Sequence, residues 1–348
     1  MKVIYTLVIA VLVTACAKSP EEKYLQSIEN YKSEKSNEVK KEITKNLFNF
    51  ISIYKFKASE EYSAFSNTIY VKQKNIGKFV TVDGNSYTVN YYVKYADYDL
   101  KNNLLAFSDG VNLELISFKR ENAETENFEP KKLFSFIMGN EKNNITSLNI
   151  SGNRVLYVLK GSLNFIDIET MVNDKLFPKK KMEPPYKKNA FNTNIFVRDN
   201  KIAVILGNAG LYNLYMYNLD DGSSVINGKK ISTPVLYFDS TVCQYLEGTS
   251  GEWVISRYDY LSKKAIIVKK ITSLQKISYS GEVVFYSTGE AGFIEDSAFT
   301  KSLVSPYKIK NIFNKHLIIQ RGKTLHIVET NQYFKEIEKI RSAYSDFF

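Results

Sequence analysis

From about residue 65 to 330, short runs of Val, Ile, Leu, Tyr and Phe alternate with turns rich in Gly, Asn, Asp and Ser. Runs of this length, broken by such turns, read as β-hairpins. The sharpest pair is SGNRVLYVLKGSLNFIDIET, where 154–160 and 163–168 flank Gly161-Ser162. NKHLIIQRGKTLHIVET has the same layout around Gly322-Lys323, and NNLLAFSDGVNLELISF has it around Asp109-Gly110. Asp-Gly and Gly-Ser favour the primed turns whose twist matches a hairpin. Looser copies are NTIYVKQKNIGKFVTVDG, DNKIAVILGNAGLYNLYMYNLDDG, GEWVISRYDYLSKKAIIVKKI and GEVVFYSTGEAGFIEDSAF.

The hairpins begin near Ile69, Leu104, Val155, Ile202, Trp253, Val283 and Leu317, in steps of 35, 51, 47, 51, 30 and 34 residues. The mean of 41 falls beside the ~40–45 residues of a four-stranded propeller blade. Each copy reads as the central hairpin of one blade. A lone blade cannot bury both faces of its sheet, so copies must stack around an axis. The expected fold is all-β: a β-propeller of about seven, six to eight, four-stranded blades after a short helical N-terminal segment. The uneven steps and the lack of a Trp-Asp dipeptide argue against a strict WD-type repeat. A sandwich series or a β-barrel stays open.

Ahead of the hairpins the pattern differs. Residues 17–57 hold many Glu and Lys but no glycine. Leu25, Ile28, Tyr31 and then Val39, Ile43, Leu47 and Phe50 recur at three- and four-residue spacing, which predicts amphipathic helix. Such helices either pack on the domain that follows or dock a partner. Near the other end FKEIEKIRSAY has mixed periodicity.

The first sixteen residues give an address. Lys2 precedes an apolar run, 3–13, which is too short to span a bilayer as a helix, a task needing ~20 residues, and fits a secretory signal. Val13-Thr14-Ala15-Cys16 resembles a bacterial lipobox, which implies cleavage between Ala15 and Cys16 and lipidation of the Cys16 thiol. An ordinary signal peptide cut after Ala15 is the alternative. Lipidation leaves Cys243 without a disulfide partner, and within TVCQYL it reads as a small core residue. The expected domains are a signal peptide, 1–15, a lipid-anchored and partly helical tether, 16–62, a propeller, 63–332, and a C-terminal short helix or closing strand, 333–348.

Formal net charge is +10, with 47 tyrosines and phenylalanines together, the composition of a chain that can bury a large core. The sharpest charge feature is KLFPKKKMEPPYKKN, residues 175–189. Its prolines interrupt strand pairing, so it reads as a long exposed connection. Lys175, Lys179, Lys180, Lys181, Tyr186, Lys187 and Lys188 are candidate contacts to headgroups or to an acidic protein face; a solvated spacer explains them equally. An envelope address makes nucleic acid an improbable partner.

Motifs for chemistry are sparse. His316 and His326 lie in one hairpin; counting from Gly322-Lys323 pairs His316 with Glu329 and His326 with Ile319, so they are not neighbours, and their spacing suits no metal. Gly207-Asn208-Ala209-Gly210 joins two strands and lacks the following helix that holds phosphate. Asp220-Asp221-Gly222 lacks the ligand alternation of a calcium loop. Asp97 and Asp99 of YADYD keep a paired-carboxylate site open without favouring it. One tryptophan and no vicinal cysteine pair disfavour quinone chemistry. No catalytic residue, metal or cofactor is expected.

A lipobox, a tether and hairpin repeats together resemble, in layout, the B-subunit lipoprotein (BamB-like) of the bacterial outer-membrane β-barrel assembly machinery. The resemblance implies a non-enzymatic protein–protein scaffold at the periplasmic face of the outer membrane, with a barrel-assembly protein as partner. The family's tryptophan-docking pattern is missing here, so no family binding residue carries over. A surface-exposed lipoprotein binding a host or environmental ligand, and an envelope propeller enzyme, are the competing readings.

Overall fold

The computed structural model describes residues 18–119, 130–139, 144–175, 193–296 and 302–348, apart from residues 75, 160–161, 199, 209–210, 220, 250, 281–282, 289–290, and 314. Two helices come first, α1 (Pro20–Ser33) and α2 (Asn37–Ile51). Ser19 caps α1 through a reciprocal box with Glu22, and Ser36 caps α2 by accepting from the Val39 N–H. Each cap satisfies a first-turn N–H that has no partner within its helix.

The strands that follow form seven four-stranded antiparallel sheets among the described residues. Blade 1 holds β2 (Glu61–Ala64), β3 (Thr68–Gln73), β4 (Ile76–Thr81) and β5 (Ser86–Val89). Blade 2 holds β6 (Tyr95–Asp99), β7 (Leu104–Ser108), β8 (Asn112–Ser117) and β9 (Lys131–Ile137). Blade 3 holds β10 (Ile145–Ser151), β11 (Arg154–Leu159), β12 (Ser162–Asp167) and β13 (Asn173–Lys175). Blade 4 holds β14 (Thr193–Arg198), β15 (Lys201–Asn208), β16 (Leu211–Asn218) and β17 (Ser224–Ile231). Blade 5 holds β18 (Leu236–Phe238), β19 (Val242–Thr249), β20 (Glu252–Asp259) and β21 (Lys264–Thr272). Blade 6 holds β22 (Leu274–Ser280), β23 (Val283–Thr288), β24 (Ala291–Asp296) and β25 (Ser302–Val304).

Blade 7 is made from both ends of the sequence. β26 (Lys308–Phe313), β27 (His316–Arg321) and β28 (Thr324–Glu329) are completed by β1 (Ser52–Lys57), which pairs antiparallel with β28 from Ser52↔Val328 to Lys57↔Thr324. The sequence reading left 52–57 in the tether. The structure corrects this: the ring begins at Ser52, because Tyr54 and Phe56 pack onto the core shared with blade 1. A second boundary also moves, since the C-terminal helix α3 runs Thr330–Ala343 with Glu329 as its N-cap.

First strands of successive blades approach one another, β6 with β10, β10 with β14, β18 with β22, β22 with β26, and β26 with β2. They are the inner strands, and the fourth strands form the circumference. Turns joining first to second and third to fourth strands lie on one rim, the AB rim; second-to-third turns and the connections between blades lie on the other, the BC rim.

The fifth hairpin of the sequence reading, at Trp253, is the outer pair β20–β21 rather than a central one. The central pair is β19–β20, whose first strand carries Gln244, Glu247 and Gly248 and so hides its apolar alternation. Second strands then begin at 201, 242 and 283, even steps of 41 residues where the hairpin count had 51 and 30.

The core explains the architecture. Six apolar clusters of the described residues each join two consecutive blades: 1–2, 2–3, 3–4, 4–5, 5–6 and 7–1. The remaining cluster is different. On β27, Ile318 faces blade 1, whereas Leu317 and Ile319 on the opposite face meet Tyr24, Tyr31, Phe48, Tyr333 and Ile337 of the three helices. The helices therefore cover the side of blade 7 turned toward blade 6. Helix α3 reaches blade 6 too: Arg341 donates to the Val304 carbonyl at 2.7 Å, and the Tyr333 hydroxyl lies 2.6 Å from Ser305 Oγ. The N-terminal helices thus pack on the domain that follows and form a wedge against the ring.

Candidate functional site

The innermost strands hold a buried carboxyl group near the axis. Asp97 on β6 accepts the Ile150 N–H of β10 at 2.7 Å and the hydroxyl of Ser66 from the β2–β3 turn. One carboxyl thus ties blades 1, 2 and 3 at the AB rim. Burial pushes its pKa above the usual carboxylate range, and the hydrogen bonds only partly oppose this. Beside it, Asn67 donates to the Tyr98 carbonyl at 2.8 Å and Tyr98 donates to Asp83 at 2.7 Å, adding two further ties between blades 1 and 2.

Asp99 does not share this site. It accepts from the N–H groups of Lys101 and Asn102 within its own turn. The YADYD carboxylates therefore divide into an interblade tie and a turn cap. The same capping recurs at strand ends. In Asp167, Asp221 and Asp259 the N–H groups of Thr170, Ser223 and Ser262 hold the carboxyl below its usual range. At Asp109 and Asp239 burial is the largest single influence and opposes ionisation, but hydrogen bonds from two backbone N–H groups and from side chains together outweigh it and the pKa again falls. Acidic residues at turns are thus hydrogen-bond acceptors that fix loop geometry.

The histidines have the register counted from the sequence, His316↔Glu329 and Ile319↔His326. His326 lies beneath the wedge: its ring centroid is 4.7 Å from that of Phe48, and Nδ1 is 3.0 Å from Ser52 Oγ. Burial, together with Lys55 and Arg321, pushes its pKa down to about 4. His316 is also lowered by burial, with Glu329 opposing. No group of three or more His, Cys, Asp or Glu side chains suited to a metal occurs among the described residues. Cys243 is fully buried in the cluster between blades 4 and 5, where burial raises its thiol pKa and keeps it protonated.

Ala15, Cys16 and Lys179, Lys180, Lys181, Tyr186, Lys187 and Lys188 lie outside the described residues. Lys175 is the last residue of β13, paired with Asn164, and Thr193 opens β14 opposite Leu206. Both ends of the basic connection thus lie on the BC rim. The Asp97 tie escaped sequence reasoning because Ser66 and Ile150 are 31 and 53 residues away from it; an acid placed mid-strand between Ala96 and Tyr98 was the one visible signal.

The class defined by the strand pairing is a β-propeller closed by an N-terminal fourth strand and wedged by helices. No family model matches the chain, and no curated protein matches it in sequence. Among solved structures it is similar to the Dos1 propeller, at 10% identity over 78% of this chain and 78% of that one, with a TM-score of 0.46. The Cps50 (Swd1) β-propeller domain of Myceliophteria thermophila gives 10% identity, 79% and 99% coverage and a TM-score of 0.46. Hsv2 of Kluyveromyces lactis gives 13%, 68%, 74% and 0.46.

Proposed function

We propose that this chain is a non-enzymatic lipoprotein of the bacterial envelope, anchored through Cys16 at the periplasmic face of the outer membrane and acting as a protein–protein scaffold in outer-membrane protein assembly. The observation that carries this reading is the position of α1. It begins at Pro20, four residues after Cys16, a reach of about 14 Å when extended. Its first turn lies beside the end of α2, with Asn46 donating to the Lys23 carbonyl and Tyr24 stacking on Phe50 at 5.7 Å. That end of α2 leads into Ser52, opposite Val328, at the AB rim. A lipid on Cys16 therefore holds the AB rim at the membrane and turns the BC rim, with both ends of the 176–192 connection, toward the periplasm.

A rigid ring suits such a role because blades fix the loops while leaving their sequences free to fit a partner. The basic connection then meets an acidic face of that partner, with Lys179, Lys180, Lys181, Lys187 and Lys188 as contacts. Crosslinking in intact cells followed by co-purification tests it. Recovery of a barrel-assembly protein, reduced when these lysines are changed to glutamate, supports the scaffold; recovery of none counts against it. Digestion of the body by protease added to intact cells would move the protein to the cell surface.

A further inference from the structure

The hairpin that joins β20 to β21 carries an exposed apolar tip. Leu261 is 94% exposed, and Ile266 and Ile267 are each 59% exposed. Four consecutive residues of β21, Lys264, Ala265, Ile266 and Ile267, are exposed. Successive strand residues point to opposite faces, so both faces of the outer strand β21 reach solvent near the turn, while Arg257 to Asp259 of β20 beside it stay half-buried. Asp259 caps the turn by accepting the Ser262 N–H at 2.6 Å, and Lys263 takes a left-handed conformation at φ 55°. The turn is thereby fixed with Leu261 at its apex and Lys263 and Lys264 immediately behind it. Tyr260, beside the apex, fastens the turn to β19 through its hydroxyl, which donates to the Val242 carbonyl at 2.8 Å.

This tip lies on the AB rim, since Tyr260 donates its N–H to the carbonyl of Thr241 in the β18–β19 turn. It is the rim that also holds the first turn of α1. We propose that the β20–β21 tip is a second membrane contact, in which Leu261 at the apex enters the interfacial region of an anionic bilayer, Lys263 and Lys264 just behind it meet the headgroups, and Ile266 and Ile267 lie above them at the bilayer surface. The chemistry favours lipid over a protein partner. Lysine is depleted and aromatic anchors are enriched at protein interfaces, whereas aliphatic side chains backed by lysines match an acyl boundary with phosphates above it. The assignment of the bilayer to this rim rests on the anchoring proposed above, but contact of the tip does not require the lipid.

The test uses the full chain carrying Cys16→Ala, so that its outcome is independent of lipidation. Cys243 is buried, so a polarity-sensitive fluorophore on Leu261→Cys labels the tip selectively. Vesicles of phosphatidylethanolamine with 30 mol% phosphatidylglycerol should blue-shift the probe, and spin-labelled lipid should quench it. The same label on Leu211→Cys, 79% exposed on the BC rim, should stay unquenched. At ~1 kcal/mol per lysine near an anionic surface, Lys263→Ala with Lys264→Ala should weaken vesicle binding roughly 30-fold. A Leu261 probe that remains in water at saturating vesicles, or quenching at Leu211 instead, overturns the proposal. So does a tip probe that ignores vesicles but shifts on adding envelope proteins, which would assign the tip to a protein. Failure of the Cys16 anchor shows separately, as loss of detergent-phase partitioning by the wild-type chain.

Discussion

Ile150 donates its N–H to the Asp97 carboxyl at 2.7 Å across the two innermost strands of blades 2 and 3. The same carboxyl takes the Ser66 hydroxyl of blade 1. Asp97→Ala leaves the half-buried Ile150 N–H without an acceptor, at a cost of about 1–3 kcal/mol, whereas the exposed Ser66 hydroxyl can turn to water. Urea denaturation should show a loss of about 1–3 kcal/mol, whereas Asp97→Asn, which keeps an acceptor oxygen, should lose less. An alanine variant as stable as wild type would remove Asp97 as an interblade tie.

The glycines at the ends of two second strands are held by close approach of the facing strand. A Cβ on Gly207 would lie 2.1 Å from the Leu211 carbonyl oxygen and one on Gly248 2.4 Å from that of Glu252, at φ values of 145° and 115°. Both are backbone contacts that cannot swing away. Gly207→Ala and Gly248→Ala should each destabilise by more than the ~1 kcal/mol of an ordinary glycine change. Gly84→Ala, with φ 87° and open space around it, should cost less than either, as read from thermal midpoints.

His326 gives the fold a pH dependence of defined sign. Its pKa is about 4 in the folded chain against 6.5 in its ordinary state. Between these values the unfolded chain binds the proton and the folded chain does not, so stability is full above about pH 6.5 and is lost as pH falls toward 4. The capped aspartates, lowered from 3.8, act only below that window. Denaturation midpoints at pH 7 and pH 5 should differ in wild type and differ less in His326→Gln. An unchanged difference would contradict the burial of a neutral imidazole under Phe48.

Phe48 joins the helical wedge to blade 7, with its ring edge-on to Tyr307 at 5.1 Å and no exposure to solvent. Phe48→Ala should cost about 3–5 kcal/mol and lower a single transition, because helices and blade share one core. Two separate melting steps would mean instead that the wedge folds apart from the ring.

The hairpins were legible where alternation and turn chemistry agreed, as in β27–β28, whose histidine register could be counted from Gly322-Lys323. They were misread where polar residues interrupt the second strand, as with Gln244 and Glu247 of β19. The strand 52–57 was hidden because its partner β28 lies some 270 residues away. The helical periodicity of Ile43, Leu47 and Tyr31 was plain, but nothing local told which surface it would cover. That surface is the blade 7 face bearing Leu317 and Ile319, so the helices pack on the domain that follows them, one of the two arrangements their periodicity allowed. The Asp97 tie is wholly non-local and no spacing rule reaches it.

In the proposed function, a membrane-anchored ring presents its BC rim to a protein of outer-membrane assembly. The most direct measurement is co-purification after mild crosslinking in intact cells, from the full chain carrying an affinity tag at its C-terminus. The wild-type chain should recover a barrel-assembly protein, and Cys16→Ala, which releases the anchor, should lose it. A wild-type chain that recovers no such component would contradict it.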